Sequence, residues 1–165
     1  MNLSAVAYVP EFKNKTMNVI FSGWQIAPLV RWQSGSPFTV TTGVDNALSG
    51  VGGQRAVQLM DDIYADKTPT SYLNAAAFGS PAAGTYSTLK PNVFYGPSRL
   101  QNDLGISRNF KLGASRTFQF RWEIFNVINK ANFNNPTTGL NSSNFGRILS
   151  AGDPRIMQFG FKFDF

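Results

Sequence analysis

Large apolar residues alternate with small or polar ones up to the last position of the chain. Met157, Phe159, Phe161, Phe163 and Phe165 take every second place, with Gln158, Gly160, Lys162 and Asp164 between them. A period of two describes a strand with one apolar and one polar face. The same period recurs upstream. Leu104, Ile106, Phe110 and Leu112 alternate with Gly105, Ser107, Asn109 and Lys111. After the polar turn Gly113-Ala114-Ser115-Arg116, Phe118, Phe120, Trp122 and Ile124 alternate with Gln119, Arg121 and Glu123. Two alternating runs around a short polar turn predict a hairpin. Keeping like faces together predicts pairs such as Leu112 with Phe118 and Phe110 with Phe120, because a one-residue slip inverts a face. Arg108 then falls on the apolar face, opposite Trp122.

The N-terminal half carries weaker versions of the pattern. From Gly23 to Gln33, Trp24, Ile26, Pro28, Val30 and Trp32 oppose Gln25, Ala27, Leu29, Arg31 and Gln33. Pro28 cannot donate to a ladder, so a bulge or break is expected near it. Residues 2–9 alternate poorly, and their apolar face stays ambiguous between Leu3, Ala5, Ala7, Val9 and Ser4, Val6, Tyr8. Glu11 to Phe21 reads as a connection with a short helical turn, and Phe38 to Thr42 as extended chain. From Gly43 to about Ser98 the periodicity dissolves into Gly, Ala, Pro, Ser, Thr and Asn, with a helical turn expected around Val57–Ile63. That stretch is too long for a connection inside a compact domain. The predicted fold class is all-β, an antiparallel up-and-down meander. Its strands lie near 2–9, 23–33, 100–112, 117–128 and 155–165, with long loops at 43–98 and 129–154.

Composition decides what the apolar faces meet. Aromatic residues make up 14%, Phe alone supplies 15, and only 15% of residues are charged. The charged share is well below the roughly 25% of ordinary soluble domains. No run approaches the roughly 20 apolar residues of a transmembrane helix. A phenylalanine-rich face on alternating strands instead predicts membrane-spanning strands, with lipid on one side and a wet lumen on the other. Trp24 and Trp32 suit the two aromatic girdles. The predicted lipid-facing set is Trp24, Trp32, Phe110, Phe118, Phe120, Trp122 and Phe159. The predicted lumen set is Gln25, Arg31, Lys111, Gln119, Arg121, Glu123, Gln158, Lys162 and Asp164. Arg108 on the lipid side would cost roughly 2–4 kcal/mol at the bilayer midplane and less near an interface. A bulge, or snorkelling past Trp122, is the expected escape. If short turns are periplasmic, Phe165 sits at the periplasmic rim. Five strands fall short of the roughly eight needed to close a small barrel. Met1 also leads into a stretch without the basic and long apolar regions of a signal peptide. Both features predict an incomplete barrel, a piece of a longer exported protein. By itself the chain is expected to form an open sheet with exposed phenylalanines.

Chemistry-bearing patterns are sparse. With no His and no Cys, the commonest general base, metal ligands and disulfides are missing. The net charge of +6 is spread singly from Lys13 to Lys162, without the patch that nucleic acid requires. Asp61, Asp62 and Asp66 lack the Gly and closing Glu of a calcium loop and read as a solvated loop. Arg121 with Glu123 reads as a lumen charge pair. Nine scattered acids name no glycosidase pair, and Gly50–Gly53 lacks a phosphate-loop context. No catalytic residue, cofactor or metal site is expected.

Several segments resemble the C-terminal part of TonB-dependent receptors of the Oar-like group. They are the stretch from Gly23-Trp-Gln-Ile-Ala-Pro-Leu-Val-Arg-Trp-Gln-Ser-Gly-Ser-Pro-Phe-Thr to Val40, Tyr72-Leu-Asn-Ala-Ala-Ala-Phe78, Phe118-Gln-Phe-Arg-Trp-Glu-Ile-Phe-Asn-Val-Ile-Asn129, Ala131-Asn-Phe-Asn-Asn-Pro136 and Asn144-Phe-Gly-Arg-Ile-Leu-Ser-Ala-Gly-Asp-Pro-Arg155. The resemblance implies a Gram-negative outer-membrane barrel of about 22 strands, these being the last five. It implies import of large scarce solutes, glycans or peptides. The implied partners are outer-membrane lipid, the rest of the receptor barrel and its plug, an inner-membrane energy-coupling complex and the barrel-assembly machinery. That machinery would read Phe161, Phe163 and Phe165 as a terminal signal. Plug and energy-coupling box have no counterpart in these residues. The competing reading is a soluble or secreted all-β module binding carbohydrate or protein, with Trp24, Trp32 and Trp122 as stacking platforms.

Overall fold

The computed structural model describes residues 1–113 and 115–165; Ala114, in the expected polar turn, lies outside the described residues. In chain order the elements are β1 (Asn2–Ser4), β2 (Ala7–Tyr8), α1 (Lys15–Phe21), β3 (Trp24–Gln33), β4 (Pro37–Phe38), β5 (Val57–Gln58), β6 (Tyr64–Thr68), β7 (Ser71–Leu73), a 3-10 turn (Ala75–Ala77), β8 (Phe78–Gly79), β9 (Phe94–Tyr95), β10 (Arg99–Lys111), β11 (Thr117–Phe125) and β12 (Ile156–Asp164). They fall into two units. One comprises Met1–Gln33, Leu100–Ala131 and Asp153–Phe165, the other Ser34–Arg99 and Asn132–Gly152.

The first unit is a single open sheet in the order β1-β3-β10-β11-β12, with β2 also on β3. β1 and β2 run antiparallel to β3, β10 to β11, and β11 to β12. Trp24 packs on Phe110, while Gly105 faces Ala27. As β3 advances its neighbour retreats, so this pair is antiparallel too. The architecture is therefore an all-β antiparallel meander, and its strands do not close into a barrel.

β1 and β2 form one edge strand in two pieces. Their registers on β3, Leu3 with Val30 and Ala7 with Ile26, belong to one continuous ladder without a bulge. The gap between them lies opposite Pro28, which has no N–H to donate; its carbonyl still accepts from Ala5 N–H at 3.2 Å. This register also resolves the ambiguous face: Leu3 and Ala7 share the side of Val30 and Ile26.

The hairpin pairs are Phe110 with Phe118, Arg108 with Phe120 and Ile106 with Trp122. The sequence had placed Phe110 opposite Phe120 and Arg108 opposite Trp122, so each partner is offset by two residues. The cause is the turn, closed by Leu112 N–H donating to Arg116 O at 2.9 Å, which pairs Leu112 with Arg116 instead of Phe118. A shift of two leaves the faces intact because the side-chain period is two. The ladder continues from Leu104 with Ile124 to Lys111 with Thr117, so no bulge relieves Arg108.

The second unit gathers both long loop segments around a core of its own. Phe38, Val40, Ala56, Ile63, Tyr72, Leu73, Ala77, Phe78, Phe94 and Ile148 are buried together. Phe78 meets Phe94 edge-on at 5.5 Å and Phe145 at 5.9 Å. Secondary structure here is minimal: two-stranded ribbons β4-β9, β5-β8 and β6-β7. The expected helical turn at Val57–Ile63 is instead the strand β5, whose Val57 pairs with Gly79; a helix would have withdrawn that ladder from the core. Backbone bonds join the two segments. Ile148 N–H donates to Pro69 O at 2.7 Å, and Tyr72 N–H to Gly146 O at 2.9 Å. Gly35 lies so close to Gly96 that an added Cβ would sit 1.8 Å from the Gly96 carbonyl oxygen.

Candidate membrane face and lumen face

The register sorts the sheet into two chemically distinct faces. On one side β12 presents Met157, Phe159, Phe161 and Phe163, directly opposite Ile124, Trp122, Phe120 and Phe118 of β11. β10 adds Leu104, Ile106 and Phe110, and Trp24 joins edge-on at 6.4 Å from Phe110 and 6.0 Å from Phe120. Rings then contact one another along the sheet. Trp122 stacks on Phe159 at 5.7 Å, Phe118 on Phe161 at 6.0 Å, and Phe163 on Phe165 at 6.1 Å. Such aromatic pairs contribute roughly 0.5–1.5 kcal/mol beyond area burial. Nevertheless Met157, Phe159, Phe161, Phe163 and Phe165 are all exposed, as is Trp32. A continuous bare aromatic surface of this kind marks an interaction face.

The opposite side is polar. Arg121 and Glu123 approach to 3.8 Å, Lys162 and Asp164 to 3.0 Å. Gln158 donates to Glu123, and Thr117 hydroxyl to Asp164 at 3.2 Å. Gln119 lies opposite Lys162, and Lys111 opposite Thr117. Gln25 pairs with Tyr8, and Arg31 with Asn2. Pairs this exposed contribute little to stability; their effect is to keep one face wettable. The nine positions read as lumen-facing thus share one face, and six of the seven read as lipid-facing gather on the other by direct contact. Trp32, the seventh, follows Val30 by two in β3 and takes the same side. The three tryptophans make no common platform. Trp24 and Trp122 pack within the sheet, and Trp32 lies at the far end of β3.

Arg108 was expected to escape by a bulge or by snorkelling past Trp122, and it does neither. Its guanidinium donates to Ile20 O at 2.8 Å and Val19 O at 2.7 Å, carbonyls in the last turn of α1. It also lies 4.6 Å from the Phe110 ring centroid and 5.6 Å from that of Trp24. A helix C-terminus favours a cation, and hydrogen bonds to a charged donor contribute roughly 1.5–3 kcal/mol. Those terms offset the cost of a cation on this face. The helix itself is set by local chemistry. Asn14 caps it by accepting from Thr16 and Met17 N–H, and Gly23 at φ +71° ends it. Sequence reasoning missed this partnership; the cap at Asn14 and the glycine at position 23 mark the ends of the helix but not its partner.

In the loop unit, Asp62 accepts from Tyr64 N–H at 3.1 Å. Among the described residues no three His, Cys, Asp or Glu side chains cluster as a metal site. Asp45 organises a turn instead. Its carboxylate accepts from Ser49 N–H at 3.1 Å, Gly50 N–H at 2.7 Å and the Gln54 side chain at 2.7 Å. Desolvation pushes this carboxyl up, but the hydrogen bonds from Ser49, Gly50 and Leu48 outweigh it and hold it below the usual carboxylate range. Burial, with help from neighbouring Tyr64, pushes the Tyr72 hydroxyl up.

No curated protein and no solved structure matches the chain. Residues 1–158 do match one family, described as outer membrane beta barrel domain. With an antiparallel meander, a bare aromatic face and a wettable reverse face already in hand, the chain belongs to this family of outer-membrane β-barrels of Gram-negative bacteria.

Proposed function

We propose that the chain is the C-terminal wall of a TonB-dependent outer-membrane transporter. The observation that carries this reading is the shared parity of β10, β11 and β12. All three put aromatics on one face and paired polar groups on the other, as a wall between lipid and a wet lumen requires. The Oar-like sequence resemblance supports the narrower assignment to energy-coupled uptake of large solutes, glycans or peptides. In this reading the protein is not an enzyme. Lipid touches Trp24, Trp32, Phe110, Phe118, Phe120, Trp122 and Phe159, while the lumen is lined by the Arg121–Glu123 and Lys162–Asp164 pairs. Further strands and a plug complete the barrel, and β12 with Phe165 serves as the assembly signal.

The test has two levels. Cell fractionation with gel heat-modifiability checks for a folded outer-membrane barrel; a chain that remains monomeric in detergent-free buffer sinks the membrane reading and leaves the soluble module. Uptake of glycans or peptides by cells producing the full-length protein checks the transporter reading. Uptake must stop when the proton-motive force is collapsed, and insensitivity to that collapse rejects energy coupling.

A further inference from the structure

The aromatic wall carries an element that a plain barrel strand does not need. Arg108 and Trp24, both on the apolar face, hold the end of α1. Arg108 donates to Val19 O and Ile20 O, and Trp24 Nε1 donates to Ile20 O at 3.0 Å. Phe12 and Phe21, flanking α1 and ending it, line an apolar groove of about 440 Å³ together with Ile26, Ile106, Phe120 and Trp122 of the sheet. The segment 10–22 therefore lies across the aromatic face. It does so at the end of the sheet that holds the 112–116 turn and Phe165.

The helix also leaves apolar side chains bare. Met17, Val19, Ile20 and Phe21 are exposed at 44%, 65%, 52% and 53%. Seven residues are too few for a helix to persist in water unaided, and four bare apolar side chains do not favour it there. Lys13 and Lys15 stand exposed at its N-terminal side. Apolar side chains beside a short basic stretch match the composition of helices that lie in a membrane interface. Phe120 and Trp122, which line the groove beneath the segment, in turn touch Phe159 and Phe161 of the bare face of β12.

We propose that α1 is an interfacial foot of the barrel, seated in the phospholipid leaflet at the short-turn end, the periplasmic one. Met17, Val19, Ile20 and Phe21 enter the acyl region, Lys13 and Lys15 meet lipid phosphates, and Arg108 is the positioning residue that fixes the helix to the wall. This rests on the reading of the aromatic face as lipid-facing, and the experiment separates the two.

The chain has no cysteine, so one introduced thiol labels one site. Val19→Cys, Phe161→Cys and Tyr86→Cys, each carrying an environment-sensitive fluorophore, are reconstituted into phosphatidylcholine vesicles containing phosphatidylglycerol. Lipids with spin labels at shallow or deep positions serve as quenchers, and iodide probes water. The label at position 19 is expected to be quenched most by the shallow lipid and shielded from iodide. The label at 161 is expected to respond to lipid quenchers, and that at 86 to iodide alone. Replacing Lys13 and Lys15 by Gln lowers the ratio of seated to free α1 by about fivefold per lysine on the anionic vesicles, and not on pure phosphatidylcholine. Arg108→Gln releases the label at 19 to iodide, while Arg108→Lys retains part of the shielding. Iodide access at 19 equal to that at 86, with 161 still lipid-quenched, overturns the interfacial foot alone. Absence of lipid quenching at 161 overturns the membrane face and the foot with it.

Discussion

Phe161 and Phe78 are the same side chain in opposite situations. Phe161, in β12, is 68% exposed, whereas Phe78, in the loop unit, is 5% exposed. The difference extends to whole regions. The sheet is regular, with long ladders and alternating faces, yet its largest apolar residues are bare. The loop unit has ribbons of two to five residues, yet its apolar residues are buried. Regularity and burial are separate properties. A sheet facing lipid needs every backbone group satisfied but no covering layer, because the solvent itself is apolar. A segment facing water needs a core, and irregular backbone supplies one provided its polar groups find partners, as Thr41 does between Thr138 and Leu140.

Substitutions at matched positions should break or sharpen this contrast. Phe78→Ala empties a packed site and should cost the loop unit about 3–5 kcal/mol, visible as new protease cleavage within Ser34–Arg99. Phe161→Ala should leave that unit's cleavage pattern unchanged; equal sensitivity would remove the distinction. In lipid vesicles, Phe161→Arg should cost roughly 2–4 kcal/mol if the position lies near the midplane. Gln158→Arg, on the reverse face beside Glu123, should cost far less, with both variants measured by urea titration in the vesicles. If the two arginines cost the same, the faces are not lipid and lumen.

Glycines provide a smaller, sharper pair. Gly35→Ala drives a Cβ into the Gly96 carbonyl, and overpacking of this kind costs about 1–3 kcal/mol. Gly160→Ala meets only Arg121 Cβ at 3.7 Å, ordinary contact, and should stay within about 0.5 kcal/mol. Urea titration followed by loop protease protection for the first, and by tryptophan fluorescence for the second, measures both.

The smallest effect is a pH dependence of the turn that Asp45 organises. The folded Asp45 carboxyl lies below its ordinary value. The stability it contributes is therefore present above the ordinary carboxylate range and lost as pH falls through the folded value. Protease access at Leu48–Val51 should rise on acidification, and Asp45→Asn should abolish that pH dependence; an unchanged profile in the variant would assign it elsewhere.

The sequence by itself determined which residues share a face. Phe159, Phe161 and Phe163 sit on one side because strand geometry repeats every two residues, and no partner is needed to establish that. Parity survives a slip of two, so Phe110 kept its face while exchanging Phe120 for Phe118. The partner itself was decided by the Leu112–Arg116 closure of the turn, and only the folded hairpin displays it. The Arg108 contact with α1 spans 88 residues to Ile20, and a lone arginine in an apolar run carries no mark of where its acceptors lie. The loop core was least legible. Phe38, Phe78, Phe94 and Ile148 are scattered singly among Gly, Asn, Pro and Ser, in strands too short to show a period. Their burial is a property of chain segments meeting in space, and local alternation has no means of encoding it.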